Sequence, residues 1–167
     1  LVFISITSCR KAANENEASK YKGTTQVAAD RFLDGYAGQT TDELIALASE
    51  CRVDSIVLAF EEALNQKASR LGIDALSREE QVILAVEALE REVNNGGYHQ
   101  FFINTPEHAA AVVDALIRIG CPVTAELTQA AIDELGIEGK PTAEAIEPVI
   151  YQENEARDRK LCELDGT

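Results

Sequence analysis

EVNNGGYHQFFIN, residues 92–104, sets two asparagines and two glycines between a long amphipathic run and an aromatic cluster. Val93 is the last inward position of that run. Asn and Gly accept the left-handed backbone that ends a helix, so Asn94, Asn95, Gly96 and Gly97 are expected to stop one. Residues 98–104 leave room for about two further turns. Within them Tyr98, Phe101 and Phe102 can turn at least two rings toward a core, with His99, Gln100, Ile103 and Asn104 interleaved. A functional alternative has Asn94, Asn95, His99, Gln100 and Asn104 lining a polar pocket. The structural reading is preferred, because polar clusters beside glycines mostly cap helix ends and satisfy buried backbone groups.

Helical signals continue outward in both directions. Ser77-Arg78-Glu79-Glu80 is a capping box. Behind it Val82, Val86, Leu89 and Val93 recur at helical spacing, which predicts one buried stripe and leaves Glu79, Glu80, Glu87, Glu90 and Arg91 largely outward. Downstream, Thr105-Pro106 reads as a cap followed by proline at the first helical position. Ala109, Val112, Val113, Leu116 and Ile117 form the apolar face there, and Gly120 ends it. Residues 124–135 read as a shorter helix with Leu127, Ala131 and Leu135 inward, closed by Gly136. Residues 142–164 read as one increasingly charged helix whose last part frays or lies on the surface.

Upstream, residues 25–36 are expected to be helical, with Val27, Phe32 and Leu33 on one side. Thr40-Thr41-Asp42-Glu43 is a second capping box. Residues 54–71 carry Ile56, Val57, Phe60 and Leu64 at helical spacing and stop at Gly72. No period-two alternation stands out in the body, and no repeat of fixed length is evident. The expected fold is all-α, a single domain of about six to seven packed helices over residues 24–167, with a short N-terminal tail.

The block LSREEQVILAVEALEREVNNGGYHQFFIN (residues 76–104), followed by a helix ending ALIRIGCP, resembles a bacterial domain family that takes its name from a DNA-mimic protein. The matching elements are the L-S-x-E-E start at 76–80, the E-x-x-N-G-G-[FY]-x-Q-[FY]-F-x-N centre at 92–104, and the A-L-x-x-I-G-[CA] end at 115–121. The resemblance implies an all-helical domain. For at least one member it also implies an acidic surface that stands in for the DNA phosphate backbone and occupies a DNA-binding protein. It implies no catalytic residue. The signature itself (Asn94, Asn95, Gly96, Gly97, Tyr98, Gln100, Phe101, Phe102, Asn104) is taken as structural.

Charge admits two readings, plain solubility, which is the commoner, and a binding role. Of 167 residues, 46% are hydrophobic, and the formal net charge is −14. From Thr24 onward there are 27 acidic and 11 basic residues, a net −16. Such a body repels nucleic acid and anionic membrane and attracts basic partners. The expected binding face is Glu61, Glu62, Glu79, Glu80, Glu87 and Glu90. The N-terminal stretch reads differently. LVFISITSC opens without an initiator Met, as expected of a fragment or a processed form. Its end, Ile6-Thr7-Ser8-Cys9, is similar to a bacterial lipobox, which would make residues 1–9 the remnant of a lipoprotein signal lipidated at Cys9. Residues 10–23 then form a polar linker. Cys51, Cys121 and Cys162 are too widely spaced for a structural zinc site. Cys51 and Cys121 lie among apolar neighbours, as small core residues do. Export would permit one disulfide, whose pair the sequence does not choose.

Signatures of catalysis are missing. His99 and His108 lack the i, i+4 spacing of a helical metal pair. Gly136-Ile-Glu-Gly-Lys140 is too short for a phosphate loop, and no GxSxG is present. Neighbouring acids such as Glu61 and Glu62 point apart on a helix and make poor acid–base pairs. The expectation is a non-enzymatic acidic binding protein with no cofactor, no metal and no catalytic residue. Its expected partners are a basic protein, a DNA-binding protein among the candidates, and a second copy of the chain. No direct nucleic acid contact is expected, and a membrane is met only through a lipid anchor at Cys9. The alternatives are a membrane-tethered envelope module without mimicry, a cytoplasmic location without the anchor, and an enzyme built around His99.

Overall fold

The computed structural model describes residues 30–165. The sequence-predicted signal remnant with Cys9 and the linker at 10–23 lie outside these residues. Seven α-helices are present among them: α1 (Thr41–Ala46), α2 (Val53–Leu71), α3 (Arg78–Asn104), α4 (Ala109–Arg118), α5 (Pro122–Asp133), α6 (Ala143–Ile150) and α7 (Glu155–Asp165). The only β pairing among the described residues is an isolated bridge between Arg31 and Cys51. The all-α expectation therefore holds. Contacts gather into two compact units, one ending at Glu80 and the other running from Gln81.

The unit that ends at Glu80 holds a small core of Leu33, Leu44, Cys51, Ile56 and Ala59, with Tyr36, Leu47 and Phe60 packed against it. Both expected capping boxes form. Thr40 Oγ1 accepts the Glu43 amide while the Glu43 carboxylate accepts the Thr40 amide. At Ser77 the Glu80 carboxylate accepts the Ser77 amide at 2.7 Å and Ser77 Oγ accepts the Glu80 amide. The helix expected over residues 25–36 does not form from Asp30 onward. Its amides find partners on α2 instead: Leu33 N–H donates to Ser55 Oγ at 3.1 Å and Tyr36 N–H to Glu62 Oε2 at 3.1 Å. The Arg31 carbonyl accepts the Arg52 amide. Leu33 is thereby buried and Phe32 exposed, so the two do not share a face.

From Gln81 a larger core is built on Ala85, Ala88, Leu89, Tyr98, Phe101, Phe102, Val112, Leu116 and residues of α5 to α7. On α3 the buried line is Leu84, Ala85, Ala88, Leu89 and Glu92. Val82, Val86 and Val93 flank it half-buried, so the stripe is rotated from the one expected, toward small residues that let a neighbour approach. On α4, Ala109, Val112 and Leu116 are buried as expected, while Ile117 is exposed and Ala115 is buried in its stead. Thr128 and Ile132 are buried on α5, while Leu127 is only half-buried. The Thr105 hydroxyl does not cap the following helix; it donates back to the Phe101 carbonyl.

Residues 142–164 are two helices, not one, and most of the second lies on the surface, as expected. Asn154 interrupts them as an N-cap: its Oδ1 accepts the Arg157 amide at 3.1 Å. Arg157 is buried at 5% exposure and turns its guanidinium to the end of α6. It donates to the carbonyls of Val149 at 2.6 Å and Gln152 at 2.7 Å, and to the Asp158 carboxylate. Val149 lies in the last turn of α6, where its carbonyl also accepts the Gln152 amide, and Gln152 lies in the turn that follows. Leu161 on α7 is fully buried in the core.

The break inside α3 falls at Gly96 and Gly97, and each is glycine for its own reason. Gly96 has extended φ of −167°, open to any residue, but a Cβ there would lie 2.1 Å from Gln100 Oε1. Gly97 has φ of 77°, and its Cβ would lie 1.9 Å from Asp165 Oδ2. We expect Gly97→Ala to cost about 2 kcal/mol, the usual scale for a side chain forced into this backbone region. Urea unfolding measures it. Adding Asp165→Ala should recover only part of the loss, because the collision is relieved and the backbone strain is not.

Candidate functional site

The break lets the second half of α3 fold back on the first. Glu92, 6% exposed, is the only buried acid among the described residues. Its Oε2 accepts from Gln100 Nε2 at 2.9 Å and from Asn104 Nδ2 at 2.7 Å, and its Oε1 from Arg91 Nε at 3.0 Å. Gln100 and Asn104 are one turn apart and so present their amides together. Burial by itself would raise the Glu92 carboxyl, but the Asn104, Gln100 and Arg91 donors outweigh it and hold the group below its ordinary value.

A second contact secures the break from outside. The Tyr98 amide is the first donor of the resumed helix and donates to Asp165 Oδ1 at 2.8 Å. Asp165 is exposed as a residue, yet its carboxylate sits in the hollow left by the missing side chain of Gly97. Burial there pushes its carboxyl above the ordinary value, with the Tyr98 amide pulling the other way. An anion at a helix N-terminus is well placed. Tyr98 also reaches inward: its hydroxyl lies 3.1 Å from Thr128 Oγ1. Because Thr128 donates to the Thr124 carbonyl at 2.8 Å, the tyrosine is the donor. Phe101 and Phe102 are fully buried, their rings tilted against each other with centroids 5.4 Å apart.

The polar pocket weighed as the functional alternative is therefore not assembled as such. Gln100 and Asn104 converge on Glu92, whereas Asn94 and Asn95 are exposed and His99 is half-buried. Glu92, Thr128, Arg157 and Asp165 take part in this framework without having been expected to. Glu92 had a legible signal, since acceptor and amide donors share one helical run. The N-cap role of Asn154 was legible too, as an Asn preceding an acidic first turn at Glu155. No local pattern pointed to Asp165.

The six acids expected to form a binding face are differently engaged. In the unit ending at Glu80, Glu62 accepts the Tyr36 amide, and Glu80 takes both Lys67 Nζ, at 2.7 and 2.8 Å, and the Ser77 amide. Lys67 is the main reason that the Glu80 carboxyl sits below its ordinary value. Glu79 is exposed and Glu61 half-buried. In the other unit Glu87 and Glu90 are half-buried on α3, and burial raises the Glu90 carboxyl. Among the described residues no group of three or more His, Cys, Asp or Glu could hold a metal, and no helix is long and apolar enough to cross a membrane. Cys51 is a buried free thiol and Cys162 an exposed one.

A helical scaffold whose one buried acid serves its own break, and whose remaining acids reach the surface, defines a class of acidic all-α domain. The family model described as DMP19-like protein matches residues 74–167, and the chain belongs to that family. The match covers α3 to α7 and so includes the broken helix and its partners. No curated protein and no solved structure matches the chain.

Glu92→Leu should lower stability by about 1–2 kcal/mol at neutral pH, since it removes the charged acceptor of the Gln100 and Asn104 amides. The folded Glu92 titrates below its ordinary 4.5. Its contribution is thus complete above that value and is lost as pH falls through the lower, folded one. Asp165 and Glu90, being raised, act in the opposite sense and are relieved on acidification. Urea unfolding of parent and Glu92→Leu across this range should show the gap between them closing as pH falls.

Proposed function

We propose that the protein is a non-enzymatic acidic binding domain that engages a basic protein by displaying carboxylates in place of phosphates. The observation that carries the reading is the placement of acid. All 27 Asp and Glu residues from Thr24 onward lie within the described part, and Glu92 alone is buried. From Gln81 to Asp165 there are 16 acidic residues against 6 basic ones, a net −10. Within the 92–104 run, Gln100 and Asn104 commit their amides to Glu92, and the reading rests on the surface charge. Carboxylates on successive turns are about 5.4 Å apart and compete with phosphates for Lys and Arg. Family membership supports the reading without supplying a partner.

The test uses protamine as a model basic protein and a short DNA duplex as its competitor. The protein should release the duplex from protamine, and its own affinity for protamine should fall at least about tenfold between roughly 50 and 200 mM salt. Glu87→Lys with Glu90→Lys should weaken both effects. A complex that is indifferent to salt and to these reversals sinks the reading.

A second reading is a membrane-tethered module of the envelope, favoured by the order of apolar run, Ser8, Cys9 and polar linker. Labelling with radioactive palmitate, lost in Cys9→Ala, supports that anchor; an unlabelled parent removes it.

A further inference from the structure

Within the unit that starts at Gln81, a recess of about 240 Å³ opens between α4, α5 and the turn that follows α5. Alkyl side chains form part of its walls: Ala109 and Val113 from α4, Ile132 from α5, Ile137 and Pro141 from the turn. Two polar side chains line it, Gln129 and Asp133. They stand one turn apart on α5, and Gln129 Nε2 donates to Asp133 Oδ1 at 2.8 Å. With its amide hydrogen directed to Asp133, Gln129 keeps its carbonyl as an acceptor. Asp133 is an acceptor throughout, carrying charge as well. The turn is held against the helix end by the Leu135 and Gly136 amides, which donate to the carbonyls of Ile132 and Asp133.

A recess with alkyl side chains on several sides, a largely polar accessible lining and the Asp133 carboxylate at its edge suits a ligand with an alkyl stem and a donor-rich cation. The volume lies below the range of about 300–1,000 Å³ usual for small-molecule sites and matches a single long side chain better. Arginine fits both parts. Its methylene stem can lie on alkyl walls while its head stays polar. Its planar fork carries several N–H donors at fixed angles, able to meet a carboxylate and an adjacent carbonyl together, where an ammonium would present a point charge.

We infer that this recess is an arginine anchor, the place where one guanidinium side chain of the basic partner is seated. The inference rests on the acidic binding role argued above and adds a defined contact to it. Diffuse charge draws the partner in; the recess fixes its register. Most of a partner's affinity commonly comes from a few such seated side chains.

The test titrates the full chain with N-acetylarginine methylamide and follows backbone amide resonances. Shifts should concentrate at Val113, Ile137 and Gly139. The citrulline analogue, equal in shape and uncharged, should bind at least tenfold more weakly, and Asp133→Asn should weaken the arginine probe about tenfold with its melting temperature unchanged. Shifts scattered over the acidic surface, equal binding of citrulline, or an indifferent Asp133→Asn each overturn the anchor. The protamine assay run on the same variants separates the two ideas. Protamine held with a silent recess removes the anchor alone, and a recess that takes arginine in a protein that ignores protamine removes the wider role alone.

Discussion

The carboxylate of Glu92, held by Gln100 and Asn104 across a break in their own helix, is the interaction on which the larger unit depends. An acid with 6% exposure is costly unless donors surround it, and here three side chains do so. They can do so only because the helix stops at Gly96 and Gly97 and resumes in a new direction. That direction in turn points Tyr98, Phe101 and Phe102 into the core. Polar satisfaction and apolar burial are thus settled by the same few backbone angles. The break has its own support at the far side, where Asp165 accepts the first amide of the resumed helix.

This arrangement separates two uses of acid that composition alone would merge. Glu92 and Asp165 act inside the fold, one through side-chain amides and the other through a backbone amide. Glu80 closes a cap and an ion pair with Lys67. Glu43, Glu62, Glu134 and Asp158 also accept from donors of the chain at or near its surface. A functional reading that begins from the net charge therefore has to subtract these carboxylates first, since they are already committed to donors of the same chain.

Much of the helical plan was legible. Both capping boxes form as Thr40–Glu43 and Ser77–Glu80 predict, and α2 ends at Gly72. The reading of 92–104 as a helix stop followed by two short aromatic turns also matches the break. What failed did so for identifiable reasons. Side-chain size points to Val82, Val86 and Val93 for the α3 stripe, whereas close packing buries Ala85 and Ala88. Residues 30–36 had helical spacing, but Ser55 and Glu62 offered their amides better partners. The charged tail reads as a surface segment, yet its Arg157 is buried against carbonyls at the end of α6. Each of these is a contact between separate elements that competes with a local preference, and local patterns carry no trace of the winner. The acidic face was legible as composition; which carboxylates remain uncommitted was not.

The separation of Tyr98 from its acceptor also bears on how the chain comes to be made. Tyr98 leaves the ribosome 67 residues ahead of Asp165. At ordinary elongation rates that interval is roughly 3–13 s. Throughout it the resumed helix has no carboxylate at its start, and the hollow at Gly97 stands open to water. Leu161 is likewise missing from the core until α7 emerges. Translation thus delivers the aromatic half of the core long before α7, the helix that closes over it.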